Sequence, residues 1–261
     1  MKLLRHTAAA VAFGLGLPVL LILIWWAASL NSTSIFVPRP GDLVTTFFRV
    51  WGSDRFLTDV LPSLGRYAIG AILAVVLGVI IGVVVGLNQT LRALTEPVFE
   101  FFRALPPPVL MPILMFLIGV GDAMKITIIV LGAVWPVLLN TIEGVRSTDS
   151  VQNETSRSYG IVGVRRVWYQ VIPSAAPQIL AGVRQSLPIA LILMVISEMM
   201  ASSSGLGFSI IQFQRRFEIP EMWAGIVLLG LIGLVVSLLF KVLEGRILRW
   251  YYGLKDLDNA A

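Results

Sequence analysis

The sequence predicts an all-α protein, a polytopic membrane bundle of about six transmembrane helices forming one domain over residues 1–261. Two observations carry that expectation. Apolar residues make up 57% of the chain and charged residues only 13%, about half the charged share of a soluble domain. The apolar residues also fall in blocks of roughly twenty, the length that crosses the hydrocarbon core of a bilayer as a helix. The 20 Lys and Arg against 15 Asp and Glu leave a net charge of +5. In a membrane protein such a surplus belongs to cytoplasmic loops, and no nucleic-acid-binding motif accompanies it. With no cysteine and one histidine, disulfides, thiolate metal sites and paired-histidine chemistry are excluded. His6 precedes the first apolar run, the place of a solvated or headgroup-facing residue.

Residues 1–6 are basic and residues 7–30 carry no charge. That run is longer than a signal-peptide core and long enough to span. A first helix with its N-terminus inside is expected, with Trp25 and Trp26 at the far interface; cleavage near the small pair Ala27 and Ala28 is the competing reading. Residues 31–59 mix both charges with Pro38 and Pro40 and place Val44, Phe47, Phe48 and Trp51 at helical spacing. This predicts a short helix on the outer surface, a packing clamp over the bundle or a substrate contact. Residues 68–87 form the cleanest span. Its Gly70, Gly78, Gly82 and Gly86 recur at multiples of four and line one face that lets another helix approach closely, in this subunit or in a second one.

Residues 91–103 return polar groups, and Pro106, Pro107 and Pro108 then fall inside the expected third span. Three prolines remove three amide donors, so the helix must break. Broken backbone at membrane depth is tolerated only against protein or a water-lined cavity, which makes the prolines pathway candidates beside the plainer reading of a kink. Residues 119–125 form an outer turn and residues 126–142 a fourth span. Residues 179–196 form the fifth, with Arg184 toward its inner end and Glu198 toward its outer end. An ionisable group in a span faces the bundle interior or water, so Glu198 is a pathway candidate, unless it is simply a helix-end glutamate at the interface. Residues 202–207 read as a flexible outer turn, residues 222–240 as the sixth span and residues 244–261 as a polar inner tail. This arrangement puts Lys2, Arg5, Arg92, Arg103, Arg146, Arg157, Arg165, Arg166, Arg246, Arg249 and Lys255 inside. Arg39, Arg49, Arg55, Arg66, Lys125, Arg215 and Arg216 fall outside, and the bias agrees with an inner N-terminus.

Between the fourth and fifth spans lies a charged island, residues 153–173, NETSRSYGIVGVRRVWYQVIP. Residues 150–159 suit one short helix and residues 164–171 a second, in which Val164, Val167, Trp168 and Val171 form an apolar stripe. Gly160 between them can take the left-handed conformation that ends a helix, and Pro173 reads as the stop of the second. The island is a compact helical elbow.

Glu154, Thr155 and Ser156, then Gly160 six positions after the glutamate, then Ile172 and Pro173, resemble the EAA loop of the inner-membrane permeases of binding-protein-dependent ABC importers. That pattern is Glu-Ala-Ala, three variable residues, Gly, and a hydrophobic-Pro ending. Here the alanines are Thr155 and Ser156, both still small. The flanking LGAVWPVLLNTIEGVRS and SEMMASSSGLG resemble the branch that imports nitrate, sulfonates, taurine and bicarbonate, and the likeness runs from about Phe36 onward.

The resemblance implies a coupling loop over about residues 144–176, with Glu154, Thr155, Ser156, Gly160, Ile172 and Pro173 meeting an ATPase. It adds Ser204, Gly205 and Gly207, the SGLG segment, to the pathway candidates. It implies a second copy of this chain, two ATP-binding ATPase subunits and an extracytoplasmic solute-binding protein as partners. All of this sits in the lipid of a bacterial inner membrane, with both termini cytoplasmic. No cofactor is expected on this chain, since ATP belongs to the ATPase and no GxxxxGK[ST] loop occurs. Neither HExxH nor GxSxG occurs, so no enzyme activity is expected. The expected function is import of a small oxyanion, sulfonate or other small organic anion. A proton- or sodium-coupled secondary transporter is the alternative; it calls for several intramembrane carboxylates, for which only Glu198, Glu100 and Glu143 qualify.

Overall fold

In the computed structural model, residues 2–30, 36–251 and 253 are described, the side chains of 2–15 and 150 excepted, and every regular element among them is helical. Helix α1 (Lys2–Ser29) leads to α2 (Pro40–Trp51). A π-helical turn, Phe56–Val60, runs straight into α3 (Leu61–Leu87). Then come α4 (Gln89–Ala104), a 3-10 turn Pro107–Leu110 and α5 (Met111–Ile118). Helix α6 (Asp122–Arg146) precedes the short helices α7 (Ser150–Ser158) and α8 (Gly163–Arg166). The latter passes through a π-helical turn, Val167–Val171, into α9 (Ile172–Met200), followed by α10 (Leu206–Arg215) and α11 (Ile219–Ile247).

Among the described residues, four stretches are long and apolar enough to cross a bilayer: Phe56–Leu87, Asp122–Arg146, Gly163–Met200 and Ile219–Ile247. Helix α4 with Pro107–Ile118 makes a fifth if taken as one broken span, and α1 adds the apolar helix Gly16–Ser29. The His6 side chain and residues 254–261 of the expected inner tail lie outside what is described.

Glycine spacing sets the frame of the bundle. A Cβ at Gly70 would fall 2.6 Å from Ile129 Cγ2; at Gly78, 2.8 Å from Val137 Cβ; at Gly82, 2.6 Å from Thr141 Cβ; at Gly86, 2.8 Å from Val145 Cβ. Each partner lies the same number of positions further along the chain, so α3 and α6 are parallel and touch along the whole stripe. The glycine face is therefore filled inside this subunit. On its other side α6 meets α9, where a Cβ at Gly182 would sit 2.6 Å from Pro136 O. The shared core of Met124, Ile128, Ile129, Ala133, Ala190 and Met194 is buried. The most apolar 18-residue stretch of α11 is only 11% buried, as for a helix on the lipid boundary.

Two expectations are corrected here, those for the α2 face and for Pro173, while the expected break at the prolines is met. The inward face of α2 carries Leu43, Thr46, Val50 and Trp51, while Val44 and Phe48 of the expected stripe are exposed. The third span is two helices meeting at 87° across the prolines, since Pro106 holds an extended backbone at ψ 120°. Pro173 does not stop a helix: it lies in the first turn of α9, and the chain is helical from Gly163 to Met200. The π-helical turn before it widens the backbone where the proline withholds its amide and its ring would crowd the preceding turn.

Candidate functional site

The elbow is built from backbone closure outward. Helix α7 starts on Asp149, whose carboxylate accepts from Val151 N–H at 2.9 Å. It ends in a Schellman closure, with Ile161 N–H to Ser156 O at 2.8 Å and Gly160 N–H to Arg157 O at 3.0 Å. Gly160 holds φ +68°, as that closure requires of its left-handed residue. Gly163, absent from the expected set, repeats the device at φ +60° and turns the chain into α8. Side-chain amides, also unforeseen, brace the elbow. Asn153 Oδ1 accepts from Arg166 Nη2 and Gln170 Nε2, both at 2.8 Å, and Ser174 Oγ donates to Gln152 Oε1 at 3.1 Å. Helix α7 is thereby fastened to the start of the long α9.

Of the motif residues, Glu154 and Thr155 are exposed and Ser156 is buried. The Thr155 hydroxyl donates to Val151 O at 2.8 Å, so it is spent within α7. The apolar stripe of the second helix divides: Val171 and Val167 pack into the bundle, while Val164 and Trp168 face outward beside Tyr169, which is 79% exposed. Thr155, Ser156, Tyr169, Pro173 and Trp250 border a groove of about 810 Å³.

The pathway candidates separate into two places. Pro107 borders a cavity of about 590 Å³ at the break, with Arg103, Gly132, Asn140 and Gln185 on its walls. Glu100 and Glu143, the other span carboxylates, are paired with Arg103 and Arg146 at 2.6 Å. Glu198 lies instead at the end of the bundle remote from the elbow, with 0% exposure. Ser63 Oγ is 2.7 Å from one carboxylate oxygen and 2.8 Å from the other, Arg66 Nη1 donates at 2.6 Å and Gly207 N–H at 3.0 Å. Arg66 Nε also reaches Asp122 Oδ1 at 2.8 Å, joined there by Lys125 Nζ at 3.5 Å.

The turn before α10 closes over this cluster. Gly205 N–H donates to Asp59 Oδ1 at 3.2 Å, Leu206 N–H to Ser63 Oγ at 2.8 Å, and Ser209 Oγ to Asp59 Oδ2 at 2.8 Å. The first amides of α10, which have no partners inside their own helix, are thus capped by side chains of other elements. Two carboxylates meet the positive end of its dipole. A Cβ on Gly205 would fall 2.6 Å from the Glu198 carboxyl carbon. The residues 202–207 are a clasp tied by hydrogen bonds, where a flexible turn was expected. Ser63 went unnoticed in the sequence and Arg66 was counted only as an outer charge, although an arginine within a glycine-rich apolar helix is itself a signal of a buried partner.

A family model for the binding-protein-dependent transport system inner membrane component matches residues 74–249. The chain belongs to this family. The permease is 28% identical to the taurine transport system permease protein TauC of Escherichia coli K12, over 92% of this chain and 90% of that one. It is 31% identical to the aliphatic sulfonates transport permease protein SsuC of Bacillus subtilis, over 91% and 87%, and 29% identical to the bicarbonate transport system permease protein CmpB of Synechococcus elongatus, over 88% and 87%. Among solved structures, the inward-facing MetNI methionine ABC transporter superposes with a TM-score of 0.63 at 18% identity, over 72% of this permease and 94% of that chain. The fold is that of ABC transporter permeases, and the protein is an inner-membrane component of a transport system.

Proposed function

We propose that this permease is the translocation subunit of an ATP-driven importer that moves a small oxyanion, sulfonate or other small organic anion into the cytoplasm. Two copies form the passage, two ATPase subunits bind the ATP, and an extracytoplasmic solute-binding protein delivers the solute. The observation that carries the reading is the elbow. A closed α7 is braced by Asn153 and Gln152 onto a helix that runs unbroken to Met200, so a push on α7 reaches the far end of the bundle. The outward Glu154, Val164, Trp168 and Tyr169 offer the ATPase its contact. Closure of the ATPase pair moves the elbows and access alternates between the two sides. The lysine and arginine bias supports an orientation with both termini and the elbow in the cytoplasm of a bacterial cell and the clasp outside. The names of the relatives, taurine, aliphatic sulfonates and bicarbonate, support the solute class. The pairing of Glu198, Glu100 and Glu143 leaves those carboxylates poorly suited to proton or sodium coupling. In this reading Pro107 borders the passage, while Glu198, Ser204, Gly205 and Gly207 hold its outer end in shape.

Gly160→Val tests the elbow. Nothing lies within 4 Å of the added Cβ, so the cost is conformational, about 1–2 kcal/mol, small against the bundle but borne by the α7 closure. The variant is expected to insert and fold while losing co-purification of the ATPase and ATP-driven uptake, and Glu154→Ala to be milder. A fully coupled Gly160→Val complex would remove the elbow as the transmission element.

A further inference from the structure

We propose that the end of α10, with the polar cavity beside it, is the docking surface for an acidic face of the solute-binding protein. This rests on the importer reading, which puts that end of the bundle outside. Helix α10 ends in the same closure as α7: Glu218 N–H bonds to Phe213 O at 2.9 Å and Phe217 N–H to Gln214 O at 3.1 Å. At the left-handed position α7 has Gly160, whereas α10 has Phe217 at φ +57°, the one non-glycine residue with positive φ among those described. A phenylalanine there strains the backbone, and at 77% exposure it recovers little by packing against its own chain. Strain that packing does not repay points to a task for the side chain, and an exposed aromatic is the residue type that anchors protein interfaces.

Beside it lies a cavity of about 380 Å³ lined by Arg55, Thr58, Asp59, Ser209, Gln212 and Arg216. The Asp59 carboxylate is occupied by Gly205 and Ser209, and Arg55 rests over the Phe213 ring at 5.1 Å. Two guanidinium groups with hydroxyl and amide neighbours fit an inserted carboxylate, which arginine grips with paired hydrogen bonds. Asp54, Asp59 and Glu218 lie in the same stretches of chain, so the patch is not uniformly basic, as attraction to an anionic bilayer would need, and a partner carboxylate must enter at Arg55 and Arg216.

The test uses the permease–ATPase complex in nanodiscs of zwitterionic lipid, with equilibrium binding of the purified solute-binding protein as readout. Glycine accepts the left-handed conformation, so Phe217→Gly is expected to melt no lower than wild type yet to bind about tenfold more weakly. Arg216→Glu is expected to weaken binding similarly and to flatten its dependence on salt. Wild-type affinity for Phe217→Gly, in a complex that still imports with ATP, would overturn the docking surface and leave the importer reading standing. A lowered melting temperature with unchanged affinity would make Phe217 structural, and an affinity lowered only when the nanodisc lipid is made anionic would make the patch a lipid contact; either overturns the proposal.

Discussion

Glu198 shows what a charge at the end of an apolar span is for when it is fully buried and every hydrogen bond is met. Its partners Ser63 and Arg66 belong to another helix and reach both of its oxygens. Removing Glu198 leaves the buried Arg66 with only the more exposed Asp122 as counter-ion, so the cost falls at about 3 kcal/mol, the lower end for breaking a buried pair. Glu198→Ala is therefore expected to lower the stability of the detergent-solubilised permease by that amount in a denaturation experiment. The double variant with Arg66→Met should recover part of the loss, short of the cost of the uncapped Gly207 amide. A single variant as stable as wild type would show the cluster to be dispensable. The residue type was legible in the sequence, and its pairing was not, because the partners are far apart along the chain. Gly160 was legible for the opposite reason, since its conformation is local and glycine signals it. Phe217 adopts the same conformation with a residue that signals nothing of the kind.

Helices are legible here by length and composition, but their facing is harder to read. Periodicity assumes water outside, and around this bundle lipid takes its place. Helix α2 accordingly carries apolar residues on both faces, and Leu43, Val50 and Trp51, not Val44 and Phe48, turn inward. Small residues are the better guide, as the seam between α3 and α6 shows. Gly78→Ala would place a methyl 2.8 Å from Val137 Cβ, an overpacking worth about 1–3 kcal/mol. Gly65, which has nothing within 4 Å, should accept alanine without loss. Adding Val137→Ala to Gly78→Ala should restore much of the stability, read as thermal unfolding; equal effects at Gly65 and Gly78 would deny the seam its role. The proline break between α4 and α5 was legible because proline lacks a donor, but the 87° turn depends on what packs against it. Pro173 was misread as a stop because the π-helical turn that accommodates it leaves no mark in the sequence.

In the proposed orientation of the whole molecule the clasp lies outside and the elbow in the cytoplasm. Two of the basic residues counted outside, Arg66 and Lys125, are buried in ion pairs, so the exposed positive charge is more biased to the inner side than the raw count suggests. Ser53, Ser203 and Ser158 are all exposed. In intact cells an impermeant thiol reagent should label cysteines placed at Ser53 or Ser203 and spare one at Ser158; labelling at Ser158 would reverse the orientation. The family and fold identify a permease, and its energy source is the claim on which the coupling elbow, the silent carboxylates and the docking surface all depend. Uptake into proteoliposomes tests it most directly, comparing the permease alone with the permease joined to its ATPase and solute-binding protein. The permease alone should neither hydrolyse ATP nor accumulate solute under a proton gradient, and the assembled complex should do both when ATP is supplied. Accumulation by the lone permease driven by a proton gradient would contradict the account.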